Sequence, residues 1–407
     1  MTSTESPAVQ LPLKRSNVLD ISPMYHVLRS ESPLTRVTTP TGDPAWIVTA
    51  YKEAREVFGD SARFGYYTHP DPENASSLSD AAVHSKPMEG NDFEGDMARL
   101  RKLMVPSFSP KRLKLLSGWI QELTDGCLDE MAAAHERSSD GVVNFHDLVG
   151  FRLPVLVICA LLGVPDADRD YVIGLSDRMG STVDGADAMA AMGELNEYGE
   201  RMLAGKRENR GEDVFSDLVA AQEADADLFS DADMTRYAMG LVFAGHETTV
   251  ARMDFGVLYL LSDTSRRDWL LADIEGRLDK TIEEILRMTS AHNMGLMRYA
   301  LEDVEIGGVT VGRGDLVIIS EAAANRDPSV FDNPDEFNPE RTPNNHIAFG
   351  HGPHYCIGQN LARTELRIVL TSLLGRFPQL RLAIDVSELE ILSDRTGGGV
   401  GSVPVTW

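Results

Sequence analysis

Apolar residues recur at helical spacing through most of the chain. The spacing predicts helices over 21–30, 51–58, 97–104, 110–134, 151–162, 166–180, 187–206, 213–222, 231–262, 264–274, 278–289 and 358–375. Alternation at period two is rarer. It predicts a hairpin of 34–38 with 45–49 around Pro40-Thr41-Gly42-Asp43. It also predicts strands at 304–306, 309–311 and 315–320, set off by the turn signals Gly307-Gly308 and Arg313-Gly314. A last strand pair is expected within 380–406. The fold class is therefore mainly α with small β-sheets at the edges. No internal repeat and no Pro/Ser/Gly-rich linker divides the 407 residues. A single domain over 1–407 is expected, with 1–20 as a flexible N-terminal segment.

Two segments break the periodicity. Residues 66–95 are rich in Pro, Asn, Ser, Asp and Gly, with Met88 and Phe93 embedded, and 178–212 mix Gly, Asp and Met. Such stretches act as lids or binding loops, or are plain variable surface. The formal charge of −25 favours solubility and argues against nucleic acid as a partner. A local basic patch docking an acidic protein stays compatible with it. The three cysteines, Cys127, Cys159 and Cys356, show no patterned spacing, which predicts a reducing compartment and no disulfide framework. Residues 1–20 lack the apolar core of a signal peptide. The most apolar stretch, 153–164, is about half of the ~20 residues that a bilayer span needs. A cytoplasmic protein with no membrane partner is expected.

The chemistry concentrates in Phe349-Gly350-His351-Gly352-Pro353-His354-Tyr355-Cys356-Ile357-Gly358, directly before an amphipathic helix. A helix N-terminus favours negative charge and lowers the pKa of a thiol placed there. Three readings of Cys356 compete: a structural buried cysteine, a zinc ligand with His351 and His354, or an axial thiolate to haem iron. Zinc would need further ligands at structural spacing, and no CxxC exists. The glycines fit a thiolate whose turn aims amide N–H groups at the sulfur.

The run resembles the haem-binding loop of the cytochrome P450 family, Phe-Gly-x-Gly-x-His-x-Cys-x-Gly, at every position. Other parts of that family's pattern follow in order over roughly 20–407. Glu284-Ile285-Leu286-Arg287 resembles its Glu-x-x-Arg, with Arg341 of Phe337-Asn338-Pro339-Glu340-Arg341 as the third member. The resemblance gives Glu284, Arg287 and Arg341 a structural role, locking the loop ahead of the cysteine. Asn325-Arg326-Asp327-Pro328 and Phe331-Asp332-Asn333-Pro334 match the stretch between. Ala244-Gly245-His246-Glu247-Thr248-Thr249 resembles the mid-helix groove where dioxygen binds. There the resemblance makes Thr248 the hydroxyl that hydrogen-bonds oxygen, directly or through water, and Glu247 the acid that relays solvent protons. The cofactor implied is haem b, with Cys356 as axial thiolate favouring O–O cleavage. Implied haem contacts are Arg101, Ala244, Arg298, Phe349, Gly350, His354 and Gly358, with Arg101, Arg298 and His354 as propionate partners. One departure is Met97, where many members carry a histidine four residues before the Arg101 equivalent.

By the same resemblance the activity is that of a haem-thiolate monooxygenase inserting one oxygen atom from O2 into an organic substrate. No GxGxxG lies between a strand and a helix. Electrons from NAD(P)H must then come through a separate ferredoxin and ferredoxin reductase. Arg99, Lys102, Lys111, Arg112, Arg363 and Arg367 form a candidate docking face. The expected substrate wall is Met88, Phe93, Phe243, Met294, Gly295 and Leu296, with Gly397-Gly398-Gly399 at the roof. Methionines and glycines suit a large, adaptable pocket. The chain resembles soluble bacterial members that tailor secondary metabolites, and a macrocyclic polyketide of macrolide or ansamycin type is the substrate class this implies. Oxidative coupling, desaturation or rearrangement is the alternative outcome. A non-catalytic haem sensor and a zinc protein are more distant ones.

Overall fold

The structure, a computed structural model, describes residues 9–66, 68–78, 93–225, 229–290, 292 and 294–407, leaving the side chains of 93, 94, 96 and 97 outside that description. The chain begins with β1 (Val9–Gln10), α1 (Met24–Glu31), β2 (Leu34–Thr38), β3 (Pro44–Val48), α2 (Tyr51–Gly59) and β4 (Phe64–Gly65). A helical region follows: α3 (Phe93–Met104), α4 (Pro110–Arg137), β5 (Val143–Asn144), α5 (Arg152–Leu162), α6 (Arg169–Met179), α7 (Gly185–Glu208), α8 (Val214–Ala224) and α9 (Asp231–Leu261). Then come α10 (Thr264–Leu271), α11 (Ile274–Met288), β6 (Leu296–Ala300), β7 (Val304–Ile306), β8 (Val309–Val311), β9 (Leu316–Ile319) and α12 (Glu321–Ala324). The last elements are α13 (Gln359–Arg376), β10 (Arg381–Leu382) and β11 (Pro404–Thr406).

The long α9 runs through the main core. From His246 to Leu261 it is buried at every position except Thr248, as expected for a helix packed on all sides. It contacts α5, α7, α8, α10, α11 and α13. The six-stranded sheet has the order β1-β2-β3-β9-β6-β4, with β10-β11-β5 and the β7-β8 hairpin as smaller sheets. Among the described residues no helix is long and apolar enough to cross a membrane.

Several expectations shift. Asp273 caps α11 by accepting from the Gly276 N–H, so the predicted helices 264–274 and 278–289 meet at a different boundary. The strand β6 was not anticipated. Its last four residues are buried, so Leu296-Met297-Arg298-Tyr299-Ala300 carries no alternation to read. Residues 9–20 are not loose: β1 pairs in parallel with β2, and Leu11 and Val18 are buried. Most of 178–212 is α7, which leaves a short turn after α6 and residues 209–212 irregular. The helix expected from 97 starts a turn earlier, at Phe93. Met88 lies outside the described residues, as do 67 and 79–92 of the 66–95 segment.

The segment leading to Cys356 has little regular structure and is held by side chains. Glu284 and Arg287 have side chains with no solvent exposure. Glu284 accepts from Arg287 Nε and Nη2, both at 2.8 Å, and from the Asn338 N–H at 2.8 Å. It also accepts from Asn344 Nδ2 at 3.1 Å and Arg341 Nε at 3.3 Å. Arg287 spends its remaining donors on the carbonyls of Asn325 (2.9 Å), Pro334 (2.7 Å) and Glu336 (3.0 Å). Asn325 Oδ1 in turn accepts the Ile347 N–H at 2.8 Å. Removing one partner of such a buried pair leaves the other charge uncompensated. Arg287→Ala is expected to cost about 3–5 kcal/mol, read as a lowered urea midpoint. An unchanged midpoint would contradict this account.

Candidate active site

The cysteine loop is a tight turn seated on α2. Gly350 and Gly352 have φ of 73° and 75°, a region costly for other L-residues. A Cβ on Gly352 would lie 2.7 Å from Gly59 Cα and 2.8 Å from the Phe58 carbonyl, so only glycine lets the loop settle there. The loop closes through Cys356 N–H to the Phe349 carbonyl at 3.0 Å and Gly350 N–H to the Ile347 carbonyl at 2.9 Å. The Arg363 guanidinium lies 4.6 Å from the Phe349 ring centroid. Burial pushes the thiols of Cys127 and Cys159 up to about 11 and about 12. Burial also pushes Cys356 up, but the Gly358 N–H and the charges of Arg101, Arg252 and Arg363 pull the other way. Cys356 is thus the cysteine surrounded by cations.

Facing the loop is one edge of α9. Gly240 and Ala244 are exposed, Thr248 is half-buried and Arg252 is buried, all at four-residue spacing on one face. Arg252 Nη2 reaches the Ala348 carbonyl at 3.4 Å, which ties this face to the cysteine loop. Thr248 Oγ1 donates to the Ala244 carbonyl at 2.7 Å, the i−4 bond open to a threonine inside a helix. A Cβ on Gly245 would press on Ile158 Cδ1 at 3.0 Å, so glycine there permits close packing of α5 on α9. His246 pins the same crossing: its Nε2–H donates to the Phe151 carbonyl at 2.9 Å, and its Nδ1 accepts from Ser176 Oγ at 2.7 Å. The carbonyl can only accept, which fixes the tautomer.

Glu247 points about 100° around the helix from Thr248. Its side chain is almost buried and bonds Arg395 Nη2 at 2.5 Å. Arg395 Nη1 holds Asp177 at 2.9 Å. A Cβ on Gly180 would overlap Glu247 Oε1, so this cluster requires glycine at the end of α6. Thr396 N–H donates to the Gly180 carbonyl at 2.9 Å, and Thr182 N–H to that of Asp394 at 2.8 Å. The turn after α6 is therefore stapled to the 394–396 segment. Behind Glu247 lies a cavity of about 130 Å³ whose lining includes His146, Asp177, Asp254 and Arg395. His146 Nδ1 and Asp254 Oδ2 are 2.7 Å apart there.

Two of the three expected propionate partners, Arg298 and His354, lie against Tyr66. Arg298 lies on β6, 4% exposed, with its guanidinium 4.5 Å from the Tyr66 ring centroid. The His354 ring is 5.8 Å from Tyr66. Arg101, on α3, acts electrostatically on Cys356. Sequence reasoning missed Tyr66, Gly180, Arg252 and Arg395, none of which sits in a recognisable local motif. Of the expected substrate wall, Phe243 and Leu296 are half-buried, while Met294 is buried in an apolar cluster with Tyr25, Met297 and Ile318. Gly295 has φ of 102°, and a Cβ there would strike the Ile319 carbonyl, which gives that glycine a backbone reason. Gly397, Gly398 and Gly399 line a second small cavity beside Arg15 and His292. The side chains of Phe93 and Met97 are outside the described residues. Among the described residues no group of three His, Cys, Asp or Glu could hold a metal ion, so the zinc set is not assembled.

A family model described as Cytochrome P450 matches residues 277–391. The chain is 35% identical to cytochrome P450 monooxygenase PikC of Streptomyces venezuelae, over 100% of this chain and 96% of that protein. The chain belongs to the cytochrome P450 family. It also superposes on the structure of SgvP, involved in the tailoring step of griseoviridin, with a TM-score of 0.88 and 33% identity over 99% of this chain and 100% of that one. A mutant of the mixed-function P450 MycG in complex with mycinamicin V gives a TM-score of 0.85 and 31% identity, over 98% and 100% of the two chains.

This P450 is a haem-thiolate monooxygenase, an oxidoreductase whose axial ligand is Cys356. Its residues fit the group. The edge at Ala244 and Thr248 shares its face with Arg252, which reaches the cysteine loop, and the charges of Arg101, Arg252 and Arg363 act on Cys356. A pH effect follows from His246. Burial pushes its pKa down to about 4, against about 6.5 in an unfolded chain. Between these values the unfolded state binds a proton that the folded state does not. Stability is therefore full above about pH 6.5 and falls as pH drops toward 4. His246→Gln is expected to flatten part of that decline in urea midpoints measured across the same range. Superimposable pH profiles would argue against it.

Proposed function

We propose that this P450 oxidises a bulky macrocyclic polyketide, of macrolide or ansamycin type. Its electrons would come from NAD(P)H through a ferredoxin and a ferredoxin reductase. Bound haem supplies dioxygen activation, with the thiolate favouring O–O cleavage. The protein's own part is proton supply. The observation that carries this reading is the split between adjacent residues of α9: Thr248 on the edge toward the cysteine loop, Glu247 in the cavity behind. Glu247 Oε1 takes a proton from cavity water, and the Thr248 hydroxyl, once it turns from the Ala244 carbonyl to which it donates, presents one on the reacting side. In its bond to Arg395 the Glu247 carboxylate is engaged, so relay requires that bond to loosen. Arg101, Arg298 and His354 hold the haem propionates, with Tyr66 packed between the last two. Ala244, Phe349, Gly350 and Gly358 complete the haem contacts, and Phe243 and Leu296 supply substrate wall.

The substrate class is supported by likeness to MycG, whose structure holds mycinamicin V. A panel of macrolides and ansamycins should contain a ligand that shifts the ferric spin state. A panel-wide absence of any shift would redirect the substrate class. Cys356→Ala should abolish the red-shifted ferrous-carbonyl band. Thr248→Ala should keep that band but divert NADPH consumption to peroxide, and full coupling would refute its role.

The basic face is thinner than its residue types suggest. Arg363 is held by Glu283 at 2.6 Å, and Arg367 pairs with Asp279. The exposed Arg367 pair is weak and can exchange partners, whereas Arg363 is held by a part-buried, two-point bond. Neutralising Lys102, Lys111 and Arg367 together should slow reduction by ferredoxin, most at low salt. A salt-independent rate equal to wild type would remove this docking surface.

A further inference from the structure

Arg252 lies one turn beyond Thr248 on the same face of α9 and is 3% exposed. Its guanidinium bridges the end of α11 and the cysteine loop. Nη1 donates to the Leu286 carbonyl at 3.2 Å and to the carbonyl and hydroxyl of Thr289. Nη2 donates to the Ala348 carbonyl at 3.4 Å. Helix-terminal carbonyls are good company for a cation, but every one of these acceptors is neutral. Arg363, by contrast, has Glu283 directly against it.

The charges acting on Arg252 are those of Glu321 and Cys356. Glu321 is 2% exposed. Its Oε1 accepts from His292 Nδ1 at 2.8 Å and Ser290 Oγ at 3.0 Å, while its Oε2 has no hydrogen-bond partner among the described residues. Burial pulls the Arg252 pKa down only to about 10, so the residue stays charged at neutral pH. A cation this deep interacts strongly, because little water screens it.

We propose that Arg252 tunes the haem: its buried positive charge, anchored to the cysteine loop at Ala348, raises the reduction potential of the iron, and Glu321 is its partial counterweight. The inference rests on Cys356 as the haem ligand. Reduction adds an electron to the iron–thiolate unit, and a fixed cation nearby stabilises the more negative state. Arg252 is thus a positioning and tuning residue and does not touch substrate.

The test is the ferric/ferrous potential of the holoenzyme, measured by spectroelectrochemical titration for wild type, Arg252→Met, Arg252→Lys and Glu321→Gln. Each protein is first checked for the thiolate ferrous-carbonyl band. Its absence from wild type would defeat the P450 reading itself, separately from this inference. Arg252→Met should lower the potential, Arg252→Lys should keep it near wild type, and Glu321→Gln should raise it. A merely structural role would not move the potential in opposite directions. An Arg252→Met protein with an intact band and the wild-type potential would overturn the proposal. Where Arg252→Met fails to assemble, an unchanged or lowered potential in Glu321→Gln overturns it equally.

Discussion

Glu284 has no access to water, so both of its carboxylate oxygens must be satisfied from within the protein. Five donors do this, from Arg287, Asn338, Arg341 and Asn344. Apart from Arg287 on α11, these donors belong to a region with almost no helix or strand, where backbone ladders cannot set the path. The carboxylate acts as a hub around which 334–344 must wrap. Asn325 carries the constraint onward to Ile347, two residues before the glycine turn that presents Cys356. The position of one sulfur thus depends on a charge network that never approaches it.

Opposite the cysteine, α9 serves two compartments because adjacent helical residues diverge in direction. Thr248 looks toward the loop, and Glu247 looks into a cavity that Arg395, Asp177, His146 and Asp254 help to line. The same arginine joins Glu247 to the end of α6, which is stapled to the 394–396 segment. Any movement of that staple must alter the electrostatics of the acid. One turn further along, Arg252 brings a third charge to the same helix, directed at the loop itself.

Much of this was legible in the residues. Most helical segments showed by periodicity, since most have a polar side to alternate against, while α5 and the second half of α9 read as long apolar runs. The cysteine loop showed because its chemistry is local: glycines for the turn and a thiolate ahead of a helix. The strand β6 did not show, because a strand buried along most of its length loses the period-two signal. The boundary at Asp273 was blurred because a capping aspartate also reads as an ordinary polar helix residue.

What the linear chain fixes is the identity of the ligand, the acid–alcohol pair and the ion-pair motif, because each is encoded by near neighbours at turn or helix spacing. Folding decides what these groups feel. Glu247 meets Arg395 across 148 residues, and Arg252 meets Ala348 across 96. Tyr66 slides between Arg298 and His354 from a segment that reads as loop. Such pairings depend on how packed elements cross. No local spacing records which distant charge will be buried beside a given side chain.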